Sequence, residues 1–554
     1  MKKNKLLALL LVVVMGASLL SCASDEPAST PGPAAEDAGS TPSTDTPNTD
    51  DASATGITLN VLQWEPENQT IDFENLWFYE ELEKDTGIKI NWTVVKESEW
   101  NTNMNLMFVS GNYPDLIIRP NLNLSVEEYG VTQGILIPLD DYINADVMPN
   151  YYSRLHMNDA NAAIPASDGL SYYIGYLVAQ NINHDGNFYI NKMWLDTLGL
   201  DIPTTLDELT QVLIAFRDEI PAALGMDTVY PFSAGGNGGA EGGLNHQTNG
   251  LYVHFAMFGV PLQRWIHAAI DDNHQVVFPG FMPGFREAVE WLHMCYDEGL
   301  LDPEALTQDT NEWNVKMNQG QIGFTSHLRL INAGVDEVRD DFVSILPPTD
   351  NHGASVPRVM EIPDFGAVVT VANQHVEETM RWLDAQFETE RMMVASNGPL
   401  TDVGTIGATL MINEEGKYEV IYVPDDNALY NYVPLISGQF FAPGDYYFDI
   451  FEMPPHRVER YESSKEYAEA GVLETNSHDI LRKLVILDAD DAATTARLHD
   501  SIQTLLLESL ADFITRGVTD SGWDTFESNV INAGIENYLS IYQAAYDAYR
   551  ALNP

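Results

Sequence analysis

Carboxylates are the reactive side chains that this sequence offers in greatest number. Its 554 residues include 82 Asp and Glu but only 13 His and 2 Cys. Two carboxylates suffice for glycoside hydrolysis, yet with so many acids a suitable pair can be drawn anywhere, so the pairing predicts nothing. We find no HExxH, GxSxG or Cys–His arrangement, and His375-Val-Glu-Glu378 lacks the second histidine of a zinc motif. Its glutamates are better interpreted as first-turn charges of a helix.

The glycine-rich run from Gly235 to Gly243 (GGNGGAEGG) is the other segment that could bind a ligand through its backbone. No Lys-Ser/Thr pair follows it, so it is not a P-loop. We interpret it as a flexible loop.

Cys22 is the cysteine for which the sequence predicts a specific chemical modification. Lys2, Lys3 and Lys5 precede an apolar run from Leu6 to Leu20, which is short for a membrane span of about 20 residues and has the shape of a secretory signal. The following Leu-Leu-Ser-Cys22 resembles the bacterial lipobox. That resemblance implies cleavage of residues 1–21 and lipidation of Cys22, whose acyl chains would anchor the protein to the cell membrane, on its extracellular face. An ordinary secretory signal with a chance cysteine is the alternative.

The charge balance excludes several partners. With 27 Lys and Arg against 82 acids, the formal net charge is −55, and nucleic acid needs a basic face that such a chain cannot offer. Attachment to anionic lipid through a basic surface is excluded for the same reason. Cys295, in a predicted helix, is expected to be a buried small hydrophobe.

The composition divides the chain after its leader. Residues 22–55 are rich in Ser, Thr, Pro, Ala and acids, with no aromatic or large aliphatic side chain. Such a segment buries too little apolar surface to fold, and as a coil it would reach roughly 30 Å. Residues 56–554 form the body, which is large enough to require two domains or lobes.

The start of the body alternates strands and helices. Residues 57–62 and 88–95 have the patterns of strands, 73–84 and 100–109 those of helices, and 115–118 that of a third strand. This β-α-β-α-β order favours a parallel sheet covered by helices.

Several motifs along the body resemble one known family. They are the run ending in DTGI with the later SGNYPDLI, GILIPLDDYI (134–143), DGLSYYI (168–174), INKMWLDTLGL (190–200) with PTTLDE (203–208), GLLDPE (299–304), GQIG (320–323) and QAAYD (543–547). Their order and spacing are similar to those of the family 1 extracellular solute-binding proteins, and more narrowly to the long LplA-type lipoproteins of Gram-positive bacteria.

The resemblance implies an α/β, two-lobed, periplasmic-binding-protein-like fold (type 2) with the ligand cleft between the lobes. We expect lobe 1 at about 56–178 plus 345–425, and lobe 2 at about 179–344 plus 426–554. Ligand contacts to both lobes would stabilise a closed state, which an ABC-type permease in the membrane would recognise. The protein itself would be a monomer that does no chemistry.

One departure concerns a metal. Many relatives carry a calcium loop after the helix that follows the TxDE segment, but residues 216–227 here lack the alternating carboxylates and amides that calcium requires. We therefore expect no cofactor, and a calcium site at this place is doubtful.

Candidate ligand residues follow from the chemistry of sugars, whose apolar faces stack on aromatic rings. Trp64 and Glu65 end the first predicted strand, where open α/β sheets bind ligands. Trp291 and Trp382 are predicted to lie in the core. The further candidates lie in or beside predicted loops: Arg119, Asn121, Arg264, Trp265, His327, Arg329 and Tyr446. A structural role stays open for each.

The scarcity of Lys and Arg favours a neutral oligosaccharide over a uronic acid oligomer, and a peptide stays possible. A surface glycoside-active enzyme and a carbohydrate-binding adhesin are the alternatives from other functional classes.

Overall fold

The fold was analysed in a computed structural model. It describes residues 56–65, 70–118, 126–156, 165–166, 168–175, 186–235, 250–263, 265–327, 340–357, 365–398, 400, 410–421, 450–452, 455–473, 480–481, 485, 487 and 489–552. Within these ranges, no helix is both long and apolar enough to cross a membrane.

Strands and helices alternate along most of the described chain. The strands are β1 (Ile57–Glu65), β2 (Ile88–Lys96), β3 (Leu116–Ile118), β4 (Ile174–Gly175), β5 (Asn187–Asn191), β6 (Tyr230–Phe232), β7 (Ala269–Ile270), β8 (Val276–Val277), β9 (Ile322–His327), β10 (Phe342–Ile345), β11 (Phe365–Val369), β12 (Leu410–Ile412), β13 (Tyr418–Val420) and β14 (Phe451–Glu452). The helices are α1 (Trp77–Thr86), α2 (Trp100–Ser110), α3 (Pro149–Leu155), α4 (Lys192–Leu198), α5 (Leu206–Leu224), α6 (Pro283–Asp297), α7 (Thr310–Asn318), α8 (Val376–Ala385), α9 (Thr389–Asn397), α10 (Pro455–Glu469), α11 (Ala489–Arg516), α12 (Asp520–Asn532) and α13 (Ile535–Leu552).

The first sheet has the order β2-β1-β3-β11-β4. β1 pairs in parallel with both β2 and β3, whereas β11 is antiparallel to β3 and to β4. The predicted β-α-β-α-β start is confirmed, and the parallel pairing follows from the helical crossovers between its strands.

The first helix begins later than the pattern predicts. Phe73–Asn75 is a 3₁₀ turn, the backbone is extended at Leu76, and α1 starts at Trp77. Asp72 caps the 3₁₀ turn, because its carboxylate accepts hydrogen bonds from the backbone N–H and the side-chain amide of Asn75. The extended backbone at Leu76 separates this turn from α1.

The second sheet has the order β10-β5-β9-β6. β5 is antiparallel to both neighbours, and β6 is parallel to β9. All five residues of β5 and all six of β9 are buried, as expected of central strands packed on both faces.

Each of these two sheets has its own hydrophobic core. The first core covers both faces of the first sheet: Val61 and Ile118 pack on one face, and Leu62 and Ile117 on the other. The second core contains Phe188 and Phe324 of the second sheet together with most of α5, α6 and α11–α13. Two cores explain how a chain of this length buries its apolar residues.

Among the described residues, the order of core residues along the chain changes from one core to the other three times, and we call each change a passage. It leaves the first sheet at Gly175 and enters the second at Asn187, and it returns between Val356, in the second core, and Ala367, in the first. Phe451 packs in the first core, whereas Tyr467 of α10 packs in the second. The predicted lobe boundaries stay predictions, but this third passage lies later than the predicted boundary near residue 425.

Helix α5 occupies the segment where relatives carry a calcium loop. Thr205 and Glu208 form a reciprocal capping box at its start, and the helix continues through Pro221 to Leu224 before Gly225 ends it with a φ of 67°. Residues 216–224 are therefore helical.

The predicted core residues outside the sheets are largely confirmed. Cys295 and Trp382 are 0% and 1% exposed. Trp291 is only partly buried, and its indole N–H donates to the Thr210 hydroxyl at 3.0 Å. Glu377 and Glu378 lie in the first turn of α8, as predicted.

Candidate functional site

The ends of the first sheet's strands place several polar and aromatic side chains at one edge. Because β1, β2 and β3 are parallel, Glu65, Lys96 and Ile118 end at the same edge. Gly175 of β4 and Phe365 of β11, where the chain leaves and rejoins the sheet, pair at this edge. We call it the first edge, and it is where an open α/β sheet binds ligands.

Glu65 is held in place at the first edge. Its side chain is 10% exposed, one carboxylate oxygen lies 2.8 Å from the Lys96 ammonium, and the other accepts a 2.9 Å hydrogen bond from the backbone N–H of Ile71. Both oxygens are therefore used by the protein. Glu65 thus links the end of β1 to Lys96 and Ile71, and its contact with ligand stays a prediction.

Trp64 precedes Glu65 and is partly buried against the face of the first sheet that carries Leu62 and Ile117. Its backbone carbonyl accepts a 2.9 Å hydrogen bond from the buried side-chain amide of Gln63. The Trp64 side chain is thus partly exposed at the first edge, and the Gln63 amide holds the Trp64 backbone carbonyl in place.

The same face of the sheet holds an aromatic group that sequence reasoning missed. Phe108 and Tyr129 stack with ring centroids 3.8 Å apart, and Phe108 lies 6.1 Å from Tyr113. The Tyr172 hydroxyl donates a 2.7 Å hydrogen bond to Asp168, and burial together with that carboxylate raises the pKa of Tyr172 to about 12. The DGLSYY segment was noted only as a motif, although its Asp-to-Tyr spacing of four residues could have suggested this bond.

The second sheet presents a comparable edge. β9 ends at His327, and Asn187, the first residue of the antiparallel β5, faces it in the register. His327 is 9% exposed and stacks on Trp313 with ring centroids 5.3 Å apart and an interplanar angle of 3°. Its imidazole therefore belongs to the wall of this second edge, and little of its surface is open to a solute.

Trp265 is the most exposed of the candidate aromatic residues. It is 43% exposed, whereas Ile266 after it and Gln263 two residues before it are 1% and 3% exposed. A large aromatic side chain open to solvent between buried neighbours is a suitable stacking surface.

The remaining candidates lie outside the described residues. They are Arg119, Asn121, Arg264, Arg329, Tyr446 and the lipidation site Cys22.

One group of metal-ligating residue types occurs in the described part of the chain. Glu287, Asp350 and His352 place one potential ligand atom each within 4.8 Å of one another. His352 Nε2 lies 3.1 Å from a Glu287 oxygen, and Asp350 accepts the backbone N–H of His352. An exposed ion pair and a turn account for these contacts, which lie on the α6 side of the second core.

The arrangement can bind but shows no reactive centre among the described site residues. Its carboxylate is paired, its imidazole is stacked, and its aromatic groups line the ends of strands from which the chain crosses between lobes. Those features suit a cleft that recognises a solute by stacking and hydrogen bonding.

Comparisons with known proteins agree with this description. A model of the family of bacterial extracellular solute-binding proteins matches residues 69–385. The fructooligosaccharide ABC transporter substrate-binding protein FusA of Streptococcus pneumoniae serotype 4 (strain ATCC BAA-334 / TIGR4) is 26% identical over 499 residues, which cover 85% of this chain and 86% of FusA. Lipoprotein LipO of Bacillus subtilis (strain 168) is 23% identical over 330 residues, or 57% of this chain and 62% of LipO.

Solved structures show the same fold. FusA in complex with kestose superposes with a TM-score of 0.69 at 23% identity, covering 89% of this chain and 99% of that structure. An extracellular solute-binding protein from Bifidobacterium longum subsp. infantis gives a TM-score of 0.74 at 19% identity, with coverages of 89% and 98%. The chain has the two-lobed α/β architecture of these proteins.

Because the family match spans more than half of its length, this chain belongs to the bacterial extracellular solute-binding protein family.

Proposed function

We propose that the protein is the membrane-anchored solute-binding component of an ABC-type importer and that its solute is an oligosaccharide. The observation that carries the proposal is the similarity to a fructooligosaccharide-binding protein along 85% of the chain. It also covers 86% of FusA, so it concerns most of both proteins.

The mechanism is capture by closure. A solute that contacts the first edge and the second edge together stabilises the state in which they are close, and so shifts the equilibrium toward the closed form. Binding needs no bond to be made or broken. We therefore propose that the protein is not an enzyme, in keeping with the paired state of Glu65.

Stacking side chains are the proposed solute contacts. The Trp64 indole is partly exposed, and the Trp64 backbone carbonyl is hydrogen-bonded to Gln63. The Trp265 indole is exposed. Arg119, Asn121, Arg264, Arg329 and Tyr446 stay proposed contacts on sequence grounds. For Glu65 and His327 we propose a positioning role, because their polar or aromatic surfaces are engaged by Lys96 and Trp313.

The anchor is proposed on Cys22. The leader, the Leu-Leu-Ser-Cys22 sequence and the similarity to a lipoprotein support lipidation at the extracellular face of the cell membrane. Metabolic labelling with a palmitate analogue tests it: wild-type protein is expected to carry label in the membrane fraction, whereas Cys22→Ser is released unlabelled. Label on the Cys22→Ser protein would contradict the assignment.

We further propose that the body is a monomer without a structural calcium ion in residues 216–227. The helical path of residues 216–224 supports the second point, because those residues cannot wrap around a cation. Sedimentation is expected to give the monomer mass, and calcium or EDTA is expected to leave the melting temperature unchanged. A dimer mass, or a calcium-dependent rise in melting temperature that Asp218→Asn and Asp227→Asn abolish, would contradict these statements.

The deciding experiment is a thermal-shift screen of the chain from residue 23 onward. Its panel comprises kestose and nystose, a mannooligosaccharide, a milk oligosaccharide, a galacturonate oligomer and mixed peptides. A solute present at a hundredfold excess over its Kd stabilises the protein by about 2.7 kcal/mol. Stabilisation by a sugar that is recovered intact supports the proposal, and Trp64→Ala should abolish it.

Other results of the screen contradict the proposal. Stabilisation by peptides alone would assign a peptide importer. Breakdown of a sugar by the purified protein would assign an enzyme. Binding only to polymeric glycans would favour an adhesin.

A further inference from the structure

A buried tyrosine of α10 joins two strands of the second sheet. Tyr467 is 0% exposed, and its hydroxyl accepts a 3.1 Å hydrogen bond from the backbone N–H of Phe188 and donates a 2.6 Å bond to the backbone carbonyl of Ile345. Phe188 and Ile345 face each other in the register of β5 and β10. The hydroxyl therefore bridges the last pair of these strands.

A second side chain of α10 reaches the same place. Ser463 lies one helical turn before Tyr467, on the same face of the helix. Its hydroxyl donates a 2.7 Å hydrogen bond to the Asn187 side chain and lies 3.1 Å from the Ser344 hydroxyl. Asn187 is the residue at which the chain enters the second sheet from the first. Helix α10 therefore contacts the second-core end of the first passage.

The turn after α10 binds the base of the second passage. The backbone N–H of Val356 donates a 2.8 Å hydrogen bond to the carbonyl of Val472, and Val356 also forms a bridge with Leu473. Val356 packs in the second core, and the chain rejoins the first sheet at Phe365. Helix α10 and the turn after it thus contact the second-core ends of both the first and the second passage.

The third passage ends at this segment. Phe451 of β14 packs in the first core, and α10 begins at Pro455. Residues 455–473, which we call the hinge base, therefore contact or continue every one of the three passages at its second-core end.

We propose that the hinge base is the structural support of lobe closure, with Tyr467 and Ser463 as positioning residues that hold the ends of the interlobe connections in one rigid unit. The inference rests on the proposed function, since it assumes that solute capture works by closure. A hinge absorbs rotation in a few residues, and the rotation is defined only if the connections start from a fixed base. Hydroxyl groups that tie Asn187, Phe188 and Ile345 to a single helix provide that base.

The test measures lobe separation without solute. Paired spin or fluorescent labels are attached at Ser110→Cys on α2 and Ser501→Cys on α11, both exposed positions, in the chain from residue 23 onward. Cys295 is fully buried and stays unlabelled. Tyr467→Phe removes only the hydroxyl, and we expect a broader distribution of interlobe distances than in the wild type. Loss of one buried hydrogen bond also predicts about tenfold faster amide hydrogen exchange at Phe188.

Tyr538→Phe is the matched control. Tyr538 is 1% exposed in the same core, and its hydroxyl likewise accepts a backbone N–H, from His267 at 3.4 Å. We expect Tyr538→Phe to lower the melting temperature while leaving the distance distribution at its wild-type width. Tyr467→Phe with a wild-type distribution would overturn the proposal, because the hydroxyl would then stabilise only the core.

Ser463→Ala keeps the test decisive if Tyr467→Phe does not fold. It retains the Tyr467 bridge and removes the bond to Asn187, so a smaller broadening is expected, together with faster exchange confined to the start of β5. Unchanged width and exchange in this variant would refute the role of the hinge base. Since no solute is used, failure of the oligosaccharide screen leaves this result intact.

Discussion

His254 gives the protein a specific vulnerability to acid. It is 1% exposed, and its ring lies 4.6 to 5.7 Å from the rings of Phe188, Phe232 and Phe324. Burial lowers the pKa of His254 to about 3, although the backbone carbonyls of Gly250 and Leu251 favour its charged form. In the unfolded chain the imidazole titrates near its ordinary pKa of about 6.5.

The sign and the magnitude follow from linkage. Between the two pKa values the unfolded chain binds a proton that the folded protein does not, so the free energy of unfolding falls as the pH falls below about 6.5. At pH 5 the loss from His254 amounts to about 2 kcal/mol, and it continues to grow until the pH approaches the folded pKa of about 3. Above the unfolded pKa the contribution is fully present.

The assay is urea unfolding of wild-type protein and of His254→Phe at pH 8, 6.5 and 5. Phenylalanine fits an aromatic environment and has no proton to bind. We expect the wild type to lose about 2 kcal/mol more than the variant between pH 8 and pH 5. Burial raises the pKa of Asp341 and of Asp384, which changes stability in the opposite direction, but these groups titrate in both proteins and cancel in the difference.

Phe216→Leu is the control for core disruption. Phe216 is fully buried in the second core and packs against Trp194, so the substitution is expected to lower stability by the same amount at each pH. Equal pH dependence of His254→Phe and wild type would refute the reasoning, because it would mean that His254 is not held neutral by burial.

Further substitutions test the packing of the second core. Lys316→Met should destabilise the protein by roughly 3 kcal/mol in urea unfolding, because it leaves the Asp302 carboxylate, 2.6 Å from the Lys316 ammonium and 0% exposed, buried without its counter-ion. Adding Asp302→Asn should recover most of the loss, and no recovery would contradict this cause. Gly284→Ala should prevent folding or lower the melting temperature severely, since its Cβ would overlap the Phe258 carbonyl oxygen. Gly299→Ala, with open space around the Cβ but a φ of 66°, should cost only about 1 kcal/mol, and equal losses would contradict the steric argument.

Local patterns were sufficient for much of the fold. The alternation in 57–62 and the helical stripe in 73–84 predicted β1 and most of α1 because burial on one face imposes a period of two or 3.6 on apolar residues. The capping box of Thr205 and Glu208 at the start of α5 is likewise local, since it is formed within four residues. The late start of α1 was missed because the apolar stripe continues through Leu76, whose extended backbone interrupts the helix without changing the spacing of apolar residues.

The candidate site was predicted less completely. Trp64 was predicted at the end of a strand, and the structure places it there with its side chain partly exposed. This was possible because the length of a strand and its place along the chain follow from local patterns. The engagement of Glu65 by Lys96 was not predictable in the same way. It depends on a register that joins residues 31 positions apart, as the Glu65–Lys96 pairing shows.

The sequence alone therefore determined the alternation of strands and helices and the membership of a solute-binding family, because each follows from neighbouring residues or from the order of short motifs. Only the tertiary structure decided which polar groups are bonded to one another inside the protein. The contacts of α10 illustrate the difference: Tyr467 meets Phe188 across 279 positions and Ile345 across 122. Such contacts depend on how two cores pack and where the chain crosses between them, and no local pattern specifies either.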